Sequence, residues 1–308
     1  VSDWPLVAIR LVLYADLGLL FGIPLFGLYG LTGKARRDEM PVAIPCAALA
    51  AGGLLLGALG FAMVAASMSG TTVAGLDPAI VRMLLTETSL GWAFLARSAA
   101  LALAFLISLR GRPGSVPGLV LLASSGAIAV SSLAWSGHGA ASESAAGLIH
   151  LGGDIVHLLA ASAWIGALAV LLLLVTARRT CSIERINTAH AALAGFSVAG
   201  SVIVGLVVAS GLINGAFLVG AGNVTTLSHS LYGRLLIAKL LLFGGMLGCA
   251  ALNRYRLTPR LADAIGRRAP GEAIKAMRHS IAFETTLAIA VLGLVSWLGT
   301  LEPPAVGS

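Results

Sequence analysis

Charge is what this chain has least of. Only 11% of its 308 residues are Asp, Glu, Lys or Arg, less than half of the roughly 25% found in soluble domains. So few charges cannot cover a globule with polar surface. Cysteine is equally scarce, with 3 in all, which removes a disulfide scaffold. Disorder and collagen-like structure fail because 58% of the residues are hydrophobic. Also missing are a Walker A loop, an intramembrane Cys-Pro-Cys with the phosphorylated-Asp domain of a P-type pump, a nucleophile elbow and an H-E-x-x-H pair. ATP-driven transport by this chain alone and the common hydrolase chemistries go with them, and no enzyme activity is expected.

What the chain has is long apolar runs. Eight reach the roughly 20 residues that a helix needs to cross a bilayer core of about 30 Å, at approximately 6–32, 41–69, 89–109, 117–137, 148–176, 190–218, 232–253 and 279–301. None alternates polar and apolar residues as a barrel strand does, and lipid offers exposed backbone no partner, so the fold class is all-α. The first run is too long for a signal-peptide core and has no basic leader, so it reads as a retained helix. The expectation is a polytopic membrane helix bundle forming one integral-membrane domain over residues 1–308.

Orientation follows from the basic residues. One alternate set of loops holds 15 of the 20 Lys and Arg, the other holds Arg82 alone, and Arg10, Arg97, Arg234 and Lys239 fall within spans. The positive-inside rule then puts both termini outside. With the acidic residues included, the net charge of +7 divides into +10 inside, −4 outside and +1 within the membrane. The positive excess is thus a topology signal, and no nucleic-acid partner is implied. Small-residue pairs four apart, Gly18/Gly22, Gly53/Gly57, Gly211/Gly215 and Gly244/Gly248, suit close helix packing in lipid. Residues 77–88 read as a short interfacial helix capped by Asp77 with Pro78 in its first turn. The long inner segment 254–278 reads as a loop with helical stretches lying on the membrane surface.

Ionisable residues inside a span are costly and mark function by default. The fifth run carries His150, Asp154 and His157 as H-x3-D-x2-H, and at about 100° per residue all three share one helical stripe. His138 stands just before it, in SGHGAASE. Imidazole and carboxylate bind borderline divalent metals, and imidazole also suits copper. The alternative is a buried polar network in which Asp154 pairs with Arg97, Arg234 or Lys239. Met63 and Met68 end the second run, and thioether sulfur favours Cu(I). Five residues apart, they share a face only if the helix unwinds toward Gly70; otherwise they are adaptable packing. Glu284 in the last run is a candidate for an inner gate or proton step, or for a pair with Arg278. Cys46, Cys181 and Cys249 map to the inner side without close spacing and read as small packing residues.

These segments resemble the copper resistance protein D (CopD) family of bacterial inner-membrane proteins. The resemblance is carried by His138 onward through GLIHLGGDIVHLLAASAWIGAL, by YGRLLIAKLLLF followed by ALNRYRLTPRL with Asn253, Arg254 and Pro259, and by HSIAFETTLAIAVLGLVSWL with Glu284. It spans most of residues 130–301 and, more loosely, the N-terminal helices. It implies copper handling, with uptake across the inner membrane and a small periplasmic copper carrier of the CopC type, expected as a separate chain, as partner. Carried over by position, His150, Asp154 and His157 match the motif, and Met63 and Met68 sit where an outer Met pair would be useful.

The leading expectation is therefore an inner-membrane copper transporter, both termini periplasmic. Copper, as Cu(I) or Cu(II), would lodge among His138, His150, Asp154, His157, Met63 and Met68 and pass inward. Arg97, Arg234 and Lys239 oppose a cation in the same half-membrane unless acidic groups pair with them. A second reading is a haem-b electron-transfer protein; His150 and His157, about 10 Å apart along one helix, are too far apart to ligate one iron, so it needs a further ligand such as His229, or His190 with His279. A third is a copper-binding sensor or assembly factor that moves nothing.

Overall fold

The computed structural model describes residues 4–33, 35–36, 42–136, 145–176, 183–220 and 227–302, and the regular elements among them are all helical. The helices are α1 (Trp4–Tyr29), α2 (Ala43–Met68), α3 (Pro78–Glu87), α4 (Ser89–Arg110), α5 (Val116–Ser131), α6 (Ala145–Thr176), α7 (Ile183–Val219), α8 (Leu231–Leu252), α9 (Thr258–Gly266) and α10 (Gly271–Leu298). Eight of the helical stretches are long and apolar enough to cross a membrane, and they fall on the eight apolar runs.

Local chemistry sets several of the boundaries. Asp77 accepts from the Ala79 N–H at 2.8 Å with Pro78 at the start of α3, the cap its sequence predicts. Thr88, Ser115 and Ser230 cap α4, α5 and α8 through the amides of Gly91, Gly118 and Gly233. Chain reversal after α2 uses Gly70 at φ +63°, a left-handed conformation that costs glycine little.

Segment 254–278 has the expected helical stretches: α8 runs through a single π turn, Asn253–Leu257, straight into α9, and a short turn leads to α10. The Thr258 N–H bonds the Asn253 carbonyl, five residues back. Pro259 follows at once. A proline ring clashes with the carbonyl four residues earlier and offers no N–H, so widening the turn just ahead of it lets the helix continue.

Two helices organise the bundle. α1 packs against α2, α5, α6 and α10, and α6 packs against α1, α5, α7 and α10. They run parallel in a fixed register, Gly18 against Ser162 and Gly22 against Gly166. A Cβ on Gly22 would stand 2.4 Å from the Ser162 carbonyl oxygen, and one on Gly166 would stand 2.2 Å from the Gly22 carbonyl carbon. Here backbone meets backbone, so the pair Gly18/Gly22 is a true crossing. By contrast a Cβ on Gly215, Gly244 or Gly248 meets nothing within 4 Å. α8 leans chiefly on α10, and α7 on α6. Large apolar side chains left outside this packing, such as Ile44 at 83% exposed and Leu241 at 72%, clothe the bundle in a surface suited to lipid.

Candidate functional site

The H-x3-D-x2-H stripe of α6 lies along α7. His150 stacks on Phe217 with ring centroids 4.8 Å apart and planes 9° from parallel. Asp154 accepts from the Asn214 amide at 2.8 Å, and His157 Nδ1 meets Ser210 Oγ at 3.1 Å. Opposed antiparallel, the two helices form one polar seam. The glycines make room for it. A Cβ on Gly153 would stand 3.0 Å from Asn214 Oδ1, and one on Gly211 would stand 3.4 Å from the His157 ring. Ser210, Asn214 and Phe217 were not singled out from sequence, yet their i, i+4, i+7 spacing repeats that of His150, Asp154 and His157.

Hydrogen bonding fixes how the imidazoles present themselves. The Ser210 hydroxyl donates to the Leu206 carbonyl at 2.5 Å, so its proton is committed and its oxygen accepts from His157 Nδ1–H. That assigns His157 the tautomer with a lone pair on Nε2. His150 is 7% exposed, and its Nε2 is buried with no hydrogen-bond partner. His150 therefore has a ring nitrogen uncommitted to the protein among the described residues. Along the axis the side chains are spaced by about 6 Å and about 4.5 Å, a ladder and not a ring; among the described residues no three His, Cys, Asp or Glu close around one point.

The other candidates fall elsewhere. His138 lies outside the described residues. Met63 and Met68 end α2, where Gly60 faces Ile9 of α1, so they stand near the depth of His150. However, α2 packs on α1 and α4, with α1 between it and α6; Met63 is half-buried and Met68 is 64% exposed. His229 and His279 are exposed and His190 is half-buried. Asp16 turns its carboxylate onto α2, where Cβ atoms on Gly52 and Gly53 would meet it at 3.1 and 2.9 Å. It does not pair with Arg97.

A second polar centre lies further along α6. Glu284 of α10 is 2% exposed and accepts from Trp164 Nε1 and from Asn253 Nδ2, each at 2.9 Å. Arg278 instead donates to the Val175 carbonyl, so the alternative Glu284–Arg278 pair does not form. Trp164 is 3% exposed and packs edge-on to Phe243. Glu284 and Trp164 line a cavity of about 290 Å³ between α6, α7, α8 and α10, together with Phe196, Ser201, Asn253 and Arg254. Arg254 donates to the Ser197 carbonyl and to Ser201 Oγ, tying the π turn to α7. Asn253 reaches Glu284 from the first residue of that turn.

Comparison with known proteins bears on both centres. Residues 1–148 match the copper resistance protein D-like N-terminal domain, and residues 190–298 match copper resistance protein D. His150, Asp154, His157 and Trp164 stand in the stretch between the two. The chain is 38% identical over 302 residues to copper resistance protein D of Pseudomonas syringae pv. tomato, covering 96% of each chain. It is 28% identical over 300 residues to inner membrane protein YebZ of Escherichia coli (strain K12), covering 96% of this chain and 98% of that one. With copper transport protein CutJ of Bacillus subtilis (strain 168) it shares 29% identity over 257 residues, 79% of this chain but 45% of that protein. No solved structure matches. With an intramembrane histidine–aspartate seam, eight spanning-length helices and near-complete alignment to such a relative, the chain belongs to the copper resistance protein D family.

Proposed function

We propose that this protein carries copper across a bacterial inner membrane through the α6–α7 seam, entering from the periplasmic side where both termini lie. One observation carries the reading: the buried Nε2 of His150 has no protein partner, at the head of a stripe whose next members are Asp154 and His157. A buried imidazole nitrogen left unmatched costs stability unless something fills it, and copper is a fitting occupant. The copper names of the related proteins and the basic loops on one side support the same reading.

Spacing along the seam suits transit better than storage. An ion held by His150 steps about 6 Å to Asp154 and about 4.5 Å to His157, each step shorter than a rebinding from bulk. Asn214 and Ser210 orient the carboxylate and the imidazole, the role that outer-shell partners play around metals. His138 serves as the entry ligand preceding α6. Met63 and Met68, on the far side of α1, act as a separate thioether station at the membrane face and not as ligands to the same ion. The cavity at Glu284 is the exit vestibule. A periplasmic carrier of the CopC type delivers the ion.

Copper uptake into proteoliposomes tests this directly. The wild-type protein is expected to load vesicles, and His150→Ala and His157→Ala to lose most of that uptake while still folding. Undiminished uptake by both variants would remove the seam from the pathway. Copper binding without any uptake would favour a sensor, and a stoichiometric Soret band in the purified protein would favour haem.

A further inference from the structure

Across α1 from the copper seam, in the half of the bundle that holds His150, is a buried guanidinium. Arg97 of α4 is 6% exposed, and its Nε is buried without a hydrogen-bond partner among the described residues. An arginine at membrane depth ordinarily faces an acidic group or a backbone carbonyl. Asp16, a carboxylate near that depth, lies against Gly52 and Gly53 of α2.

Arg97 lines a small cavity between α1, α2 and α4 that also contains Arg10 and Tyr14. Arg10 bonds the Gly299 carbonyl through Nη1. Tyr14 sits within charge-interaction range of Arg10, Arg97 and Asp154. The remaining walls are Leu13, Phe61 and other apolar side chains, so two cations and a phenol O–H are the polar groups there. Every one of them can donate. The cavity measures about 50 Å³, room for a monoatomic anion with one or two waters at about 10–15 Å³ per water-sized particle. A phospholipid phosphate with its glycerol would not fit inside it.

We infer that Arg97, Arg10 and Tyr14 form a binding site for a small monovalent anion of halide size. The inference stands independently of the copper pathway, since it uses none of its residues. It also removes a difficulty of charge: an anion held there offsets two of the positive groups that would repel a cation in the same half of the membrane.

Equilibrium dialysis of radiolabelled chloride against the full chain, in a phospholipid-free detergent, measures the site. The wild type is expected to bind one chloride per chain, displaced by bromide and not by gluconate, which is too large. Arg97→Gln should weaken binding roughly ten- to hundredfold, the loss expected for one hydrogen bond to a charged group, and Tyr14→Phe by about tenfold or less. Should Arg97→Gln fail to fold, thermal unfolding of the wild type and Tyr14→Phe still decides. Chloride should raise the wild-type midpoint over gluconate at equal ionic strength, and the rise should shrink in Tyr14→Phe. No saturable chloride binding, or stabilisation by added phosphatidylglycerol but not by chloride, overturns the proposal.

Discussion

Replacing Gly22 by alanine adds one methyl group at the crossing of α1 and α6. That methyl would sit 2.4 Å from the Ser162 carbonyl oxygen and 2.8 Å from Gly166 Cα, where carbon contacts settle at about 3.5–4.0 Å. Both obstacles are backbone, so no side chain can rotate away, and the helices must separate by roughly 1 Å. Overpacking of this kind costs about 1–3 kcal/mol. Alanine's better helix propensity returns about 0.5–1 kcal/mol, which leaves Gly22→Ala a net loss of roughly 1–2 kcal/mol. The control is Gly248→Ala, also within a four-spaced pair, whose added methyl meets nothing within 4 Å. It should gain about 0.5–1 kcal/mol. The two variants should thus differ by about 2 kcal/mol, or roughly 30-fold in the unfolding constant. Equilibrium unfolding in mixed detergent micelles, followed by helical circular dichroism, reads this difference. Because α6 carries His150, Asp154 and His157, Gly22→Ala should also reduce copper uptake although no ligand has changed. Equal stability of the two variants would refute the backbone-crossing argument.

Two further outcomes follow from single contacts. Glu284→Ala leaves the donors of Trp164 and Asn253 without an acceptor, at about 1–3 kcal/mol each, whereas Glu284→Gln keeps a carbonyl for one of them and should lose about half as much. Thermal unfolding in detergent ranks the two, and a tie would mean that neither hydrogen bond matters to stability. Asp77→Ala removes the α3 cap and should cost about 0.5–2 kcal/mol while copper uptake stays at the wild-type level; a transport defect in that variant would give α3 a role not argued for it.

Several features were legible because they depend only on neighbours along the chain. The Asp77 cap needs one carboxylate two residues ahead of an amide. The stripe of His150, Asp154 and His157 needs only the helical period. The partners of these groups were not legible. For Asp154 the charges within spans, Arg97, Arg234 and Lys239, are the evident choices, since opposite charges attract; nothing in the pattern points to the hydrogen bond from neutral Asn214, which the antiparallel register of α6 and α7 places there. Glu284 was weighed against Arg278, six residues away on its own helix, and instead takes donors from α6 and from the π turn after α8. Asn253 is legible as part of a pattern, but its reach to Glu284 depends on a turn that widens ahead of Pro259, which the pattern does not show. The four-spaced glycines show the same limit. Gly18/Gly22 and Gly244/Gly248 are identical as patterns, and only the first is filled by another backbone.

By itself, then, the sequence determined that the chain lives in lipid, where its eight long helices fall, although α7 and α10 start seven and eight residues before their apolar runs, and which residue types on one face could hold copper. Those are consequences of hydration and helical period, both properties of a segment on its own. The tertiary structure alone decided which polar groups meet, that the methionines stand across α1 from the histidines, and that Arg97 lines a small cavity. In lipid the apolar surface drives no particular pairing of helices. Register is set by small residues that admit a backbone and by hydrogen bonds between spans, and neither is fixed until the helices have packed.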